Sequence, residues 1–269
     1  MSSTAPPSQT ELASGEELEL ALEGLTLRGL RFNAGAPVRV LALHGWLDNA
    51  ASFLPLAASL PAKIDLAALD LAGHGHSDPR PPGTWYHFID YVRDTALAAE
   101  QLGWQRFHLL GHSLGGAVAT CAAAAIPEQI QSLLLIEGLG PLSGDSREAA
   151  SRLRQACRGL RNADPERLRR YATLDQAVEA RRAKTPMAEA GARRIVERGM
   201  REVADGWVWR TDPRLRVASA TRFTEVEVLN LLGGIECPVL VVKAEPATQL
   251  MAGARINRSL AMLSEGFVH

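Results

Sequence analysis

Gly111-His112-Ser113-Leu114-Gly115 stands between the apolar run 106–110 and the alanine-rich stretch 117–126, and this G-x-S-x-G decides the fold. The flanks predict a strand, a tight turn and a helix, the arrangement of a nucleophile elbow. Such a turn strains the serine backbone and crowds its neighbours, so small residues are needed two positions to either side. Ser113 thereby sits at a strand end and at a helix N-terminus. The free N–H groups and the positive end of the helix dipole favour negative charge developing on an attacked carbonyl oxygen. Ser113 is the candidate nucleophile.

A second loop follows the apolar run Val38 to Leu43 and reads His44-Gly45-Trp46-Leu47-Asp48-Asn49. It has the position of an oxyanion loop. A hole of this kind takes one N–H from the residue after the nucleophile, Leu114, and one from the loop after an earlier strand, the Trp46 region. Neither contribution depends on side-chain identity. His44 precedes the serine and lies on the wrong loop for a base, so it reads as a buried imidazole that braces the loop. Ile64 to Leu71, followed by Ala72-Gly73-His74-Gly75-His76-Ser77-Asp78, reads as a further buried strand ending in a glycine-rich turn. His74 and His76 lack Cys or acidic partners at ligand spacing, and no metal site is expected.

Upstream, Glu17 to Leu22 and Leu25 to Phe32 alternate apolar and polar residues around Glu23-Gly24, the pattern of an antiparallel edge hairpin. The texture then changes. Val38–Leu43, Ile64–Leu71, Phe107–Leu110, Leu133–Ile136 and Pro238–Val242 are continuous apolar runs separated by helical patterns, as in parallel strands buried on both faces. Between the last two, Ser143 to Leu232 carries dense Arg, Ala and Glu at helical periodicity, which reads as a helical cap. Trp207 and Trp209 lie near its return to the core. Its basic groups Arg167, Arg169, Arg170, Arg181 and Arg182 read as solvated helix faces. The expected organisation is a disordered tail over 1–15, a first core segment over 16–142, the cap over 143–232 and a second core segment over 233–269.

A chain of 269 residues can bury a full core as one α/β catalytic unit with an insertion. A net charge of −1 gives no electrostatic reason to expect nucleic acid or an anionic membrane surface as partner. Cys121, Cys157 and Cys237 are odd in number and widely spaced, which suits reduced thiols. The first fifteen residues lack a basic, apolar signal, and no apolar run reaches the ~18 residues of a membrane helix. A soluble, cytoplasmic protein is expected, and the sequence leaves its oligomeric state open.

The His44–Asn49 loop, the Asp70–Asp78 turn, the Ser113 elbow and Glu137-Gly138-Leu139-Gly140-Pro141 together resemble the α/β-hydrolase superfamily. Gly45-Trp46-Leu47-Asp48-Asn49-Ala50-Ala51-Ser52-Phe53, Trp85-Tyr86-His87-Phe88 and Gly206-Trp207-Val208-Trp209-Arg210-Thr211-Asp212-Pro213-Arg214 narrow the likeness to the serine hydrolase-like proteins. The resemblance implies a mostly parallel, doubly wound sheet under a helical cap. It also implies serine-based hydrolysis of a small-molecule ester or related substrate without a cofactor. The substrate itself is not identified, because the fold hosts many chemistries.

A serine hydroxyl needs a base, and the base needs a carboxylate. The superfamily's usual acid follows the strand matching Pro238–Val242, where this chain has Ala247 at the aligned position and Glu245 nearby. Glu137, ending the strand after the elbow helix, matches an alternative acid position in relatives and is preferred. The base belongs on a loop after the last strand, which the resemblance gives as a Gly-Gly-His-His segment. The chain offers only His269 at the opening of that strand, so the C-terminal strand and helix are expected to be incomplete. Two readings follow. One is an esterase or thioesterase using Ser113, Glu137 and the N–H groups of Trp46 and Leu114, with His269 as the possible base. The other is a catalytically silent, small-molecule-binding relative that lacks the base. A dehalogenase or epoxide hydrolase is disfavoured, because those need a carboxylate where this elbow has Ser113.

Overall fold

The computed structural model describes residues 15–164 and 168–245. Strands β1 (Glu16–Leu22), β2 (Leu25–Phe32), β3 (Val38–Leu43), β4 (Ile64–Asp70), β5 (Phe107–His112), β6 (Ile130–Ile136) and β9 (Val239–Val242) form one seven-stranded sheet in the order β1-β2-β4-β3-β5-β6-β9. β1 and β2 pair antiparallel in the expected hairpin, and β2 joins β4 antiparallel. Every later pairing is parallel. The apolar runs of the sequence become these strands because both faces are covered. Leu41 and Leu43 face one core layer and Ala42 the other, as the two-residue period of a strand requires.

Helices α1 (Leu54–Ala57), α2 (Phe88–Gln101) and α3 (Leu114–Ala125) follow strands of the first core segment. α3 is buried along most of its length, since its glycines and alanines allow close approach to the sheet. Ligands in such sheets bind beyond the C-terminal strand ends, where β3, β5, β6 and β9 converge.

The stretch expected as a cap holds α4 (Ala149–Asn162), α5 (Leu174–Lys184), α6 (Glu189–Gly199) and α7 (Glu225–Gly233). It also holds a hairpin that the helical reading missed, β7 (Met200–Val203) with β8 (Gly206–Trp209). Asp205-Gly206 was the local signal: Gly206 turns with φ 119°, and a side chain there would run into the Tyr171 carbonyl. Trp207 and Trp209 pack against Tyr171, Val178, Val196 and Met200 in a separate small core. α7 opens with a capping box, Thr224 with Glu227, and sends Val228 and Leu232 into the main core. Among the described residues no helix is long and apolar enough to cross a membrane. Cys121 is buried, Cys157 exposed and Cys237 half-buried, all as free thiols.

Buried ions fasten the layers together. Asp70, fully buried at the end of β4, accepts hydrogen bonds from Ala50 N at 2.7 Å and His76 N at 2.9 Å. Arg198 of α6 bridges it to Glu17 of β1. With its charge paired and its oxygens satisfied, such a carboxylate is tolerated in the interior, and losing one partner would be costly.

Candidate active site

Ser113 has φ 49° and ψ −111°, a conformation that a residue with a Cβ adopts only under constraint. The constraint is visible. Its N–H donates to Ile136 O at 2.9 Å, and Ala117 N donates to its carbonyl at 3.1 Å. A Cβ on Gly111 would meet the Gly115 carbonyl, and one on Gly115 would meet the Leu43 carbonyl, so neither position admits a side chain. The turn delivers Leu114 as the first residue of α3, whose N–H has no partner inside the helix.

The loop after β3 lies against this turn. Gly115 N donates to His44 O at 3.0 Å, and a Cβ on Gly45 would sit 2.9 Å from His112 Nδ1. His44 Nε2 accepts from Leu71 N at 3.0 Å while Nδ1 faces Gly45 O at 2.7 Å. Those contacts fit the neutral ring, and burial drives its pKa down to about 4. His44 thus braces two loops. His74 packs edge-on against it at 5.0 Å between centroids, with its pKa driven to about 3 by burial and by His44. Leu47 completes the turn with φ 62°.

Glu137 follows β6 directly, also in the left-handed region at φ 50°. Its N–H donates to Val242 O at 2.9 Å, and its carboxylate accepts from Ala244 N just beyond β9. Of the four described non-glycine residues with positive φ, three are therefore Leu47, Ser113 and Glu137, and the fourth, Asn33, is a turn residue. Strain of this kind gathers where structure serves a site.

Ser113 and Glu137 line one cavity of about 890 Å³, together with Trp46, Leu114, Ala117, Leu139, Leu142, Leu215 and Phe223. All four residues expected at the site from the described stretch, Trp46, Ser113, Leu114 and Glu137, thus border the same space. Glu245 is exposed and does not line it. Nor do Trp207 and Trp209, whose place is the separate small core around Tyr171 and Val196. The base position named from sequence, His269, lies outside the described residues. Among the described imidazoles, His87 lines the cavity, stacked on Trp85 at 6.0 Å.

The sequence reading of Arg181 as a solvated group needs correction. Four residues beyond buried Ala177, it falls on the inward face of α5, and its guanidinium pairs with Asp48. Burial pushes the Asp48 carboxyl up, and Arg181 and the His112 ring, 3.9 Å away, pull it back. Arg182 conforms better, half-exposed beside Glu189. Arg170 pairs with Asp205 at the surface and Arg169 lies over the Tyr171 ring, while Arg167 is outside the described residues.

Similarity to known proteins bears on the family and the fold. The α/β hydrolase fold family matches residues 38–198. A protein named serine hydrolase-like protein from Danio rerio is 32% identical over 223 residues, covering 81% of this chain and 68% of that one. The chain spans about two thirds of the length of that relative and of a serine hydrolase-like protein from Dictyostelium discoideum. A crystal structure of a hypothetical protein from Pseudomonas aeruginosa PAO1 superposes with a TM-score of 0.88 at 39% identity, covering 94% of this chain and 89% of that one. The thioesterase domain from the curacin biosynthetic pathway shares the fold, with a TM-score of 0.81 at 22% identity over 95% of this chain and 92% of that one.

Proposed function

The chain belongs to the α/β-hydrolase fold family, and from that premise we propose that it is a serine hydrolase of carboxylic esters or thioesters acting through an acyl-enzyme. The observation that carries the reading is the strained Ser113, held at the N-terminus of α3 and opening on a largely apolar cavity that Glu137 also lines. The Ser113 Oγ bonds to the substrate carbonyl carbon. The N–H groups of Leu114 and Trp46 receive the oxyanion. The carbonyl carbon's bond to oxygen or sulfur then breaks, and the serine proton leaves with the alcohol or thiol. Water attacks the acyl-serine, releases the acid and restores the hydroxyl. His269 is the candidate base that carries these protons, and Glu137 takes the role of the carboxylate that orients it.

A fluorophosphonate probe tests this directly. It should label the intact protein at Ser113, with mass spectrometry placing the adduct, and Ser113→Ala should remove both labelling and turnover of p-nitrophenyl butyrate. Labelling elsewhere, or turnover retained in the variant, would overturn the assignment.

A further inference from the structure

The Ser113 cavity has apolar walls and a cationic rim. Phe88, Leu139, Leu215 and Phe223 line it, while Arg216 and Arg222 stand exposed at its border. Neither guanidinium has a hydrogen-bond or ion-pair partner among the described residues. The carboxylates in the same lining are already engaged: Glu227 accepts from the Thr224 N–H and hydroxyl, and Glu137 accepts from Ala244 N.

The stretch that supplies both arginines is net basic. Residues 143–232 carry 19 Lys and Arg against 13 Asp and Glu, although the whole chain has a net charge of −1. α4 packs through Gly159 onto Val217, which itself lines the cavity, and a Cβ at Gly159 would lie 2.9 Å from that side chain. The same helix exposes Arg154, Arg158 and Arg161, again without ion-pair partners among the described residues. A cation field around one mouth attracts and orients anionic ligands, and guanidinium groups suit phosphate in particular.

We propose that the substrate is an acyl compound whose leaving group bears phosphate, with the acyl chain among the apolar walls and the phosphate at Arg216 and Arg222. This rests on the acyl-transfer reading above. An uncharged ester would use the walls and leave both guanidiniums idle. The phosphate-bearing portion can be a soluble thiol or a lysolipid headgroup, and the chemistry at the rim is the same.

The test uses non-hydrolysable ligands of one chain length, titrated calorimetrically into the intact protein at low and high salt. S-octyl coenzyme A represents the thiol source, octyl phosphoglycerol the lipid source, and S-octyl N-acetylcysteamine the same chain without phosphate. A phosphate-bearing ligand should bind at least about tenfold more tightly than the neutral one at low salt, and the gap should shrink at high salt. The double variant Arg216→Glu with Arg222→Glu should lose that preference while keeping its affinity for the neutral ligand, which also reports that it folds. Arg216→Gln with Arg222→Gln serves if the charge reversal misfolds. Which phosphate ligand wins identifies the source. Equal affinity for charged and neutral ligands, or a preference unchanged in both double variants, overturns the proposal. Failure of fluorophosphonate to label Ser113 alongside an intact phosphate preference would instead strike the acyl-transfer reading and leave the anion site standing.

Discussion

Arg181 on α5 pairs with Asp48, in the loop that follows β3. It does not act alone. Trp46 Nε1 donates to Leu215 O at 3.1 Å, and Asn49 Nδ2 donates to Ile195 O at 2.8 Å. Three of four consecutive loop residues are thus tied to three separate pieces of the insertion. The loop that carries the Trp46 N–H is therefore held by contacts from residues 181, 195 and 215, and a displacement of those segments would carry the loop with it.

Arg181→Met should strand the Asp48 carboxylate in a nearly dry site. We expect a loss of about 1–3 kcal/mol in urea unfolding, the cost of an uncompensated buried charge with partial solvent relief. On the acyl-transfer reading the loop carries an oxyanion donor, so kcat for p-nitrophenyl butyrate should fall more than KM rises, even though Trp46 also borders the cavity. Adding Asp48→Leu should restore much of the stability but not kcat. A KM effect alone would make the pair a wall of the binding site.

The strain at Ser113 has its own signature. Ser113→Ala keeps the Cβ in the φ 49° conformation and should leave stability near that of the parent. Ser113→Gly removes the Cβ and should raise the melting temperature relative to Ser113→Ala by ~2–4 °C, the equivalent of about 1 kcal/mol in a chain of this size. Equal melting temperatures would mean that the elbow stores no strain at this residue.

Acid should destabilise the fold through His44 and His74. Burial holds both neutral, with pKa values near 4 and 3 against 6.5 for the unfolded chain. Between pH 6.5 and pH 4 the unfolded state binds the extra protons, so stability is full above the unfolded value and falls as pH drops through that window. The loss is on the order of 2 kcal/mol per imidazole at pH 5. Urea midpoints at pH 7 and pH 5 measure it, and His74→Phe, which removes one titrating ring, should flatten the drop. An unchanged pH slope in that variant would exclude His74 as a contributor.

Much of this was legible in the sequence, for physical reasons. The strands were readable because burial on both faces leaves almost unbroken apolar runs, and β3 matches its expected limits residue for residue. The tight turn between β5 and α3 was readable because backbone crowding leaves only glycine at 111 and 115. Arg181 was not, since a long cation on a charged helix looks the same whether it reaches solvent or a carboxylate 133 positions away. The β7–β8 hairpin was hidden by strands of four residues each, too short to show a period against helical neighbours.

Glu137 and Glu245 are separated by geometry rather than composition. Glu137 borders the Ser113 cavity and Glu245 does not. Glu137→Gln should lower kcat by ~10²-fold or more, as for triad carboxylates, while Glu245→Gln should change it by less than about twofold. The glutamine keeps an acceptor for Ala244 N, so the two variants should melt together. A larger loss at Glu245 would reverse the assignment.

Ala117 offers the sharpest handle on acyl length. It lies one helical turn beyond Ser113, its N–H bonded to the Ser113 carbonyl, and its methyl group borders the cavity. A larger side chain here would project into the apolar space beside Ser113. Ala117→Leu should therefore spare acetate, which needs little of that space, and exclude longer chains. Across a p-nitrophenyl series we expect kcat/KM for octanoate to fall at least tenfold relative to acetate, about 1.4 kcal/mol of selective transition-state loss. Because the effect is steric, salt should leave it unchanged, unlike the binding contributed by Arg216 and Arg222. If acetate and octanoate lose equally, the acyl chain runs along another wall and Ala117 only supports α3.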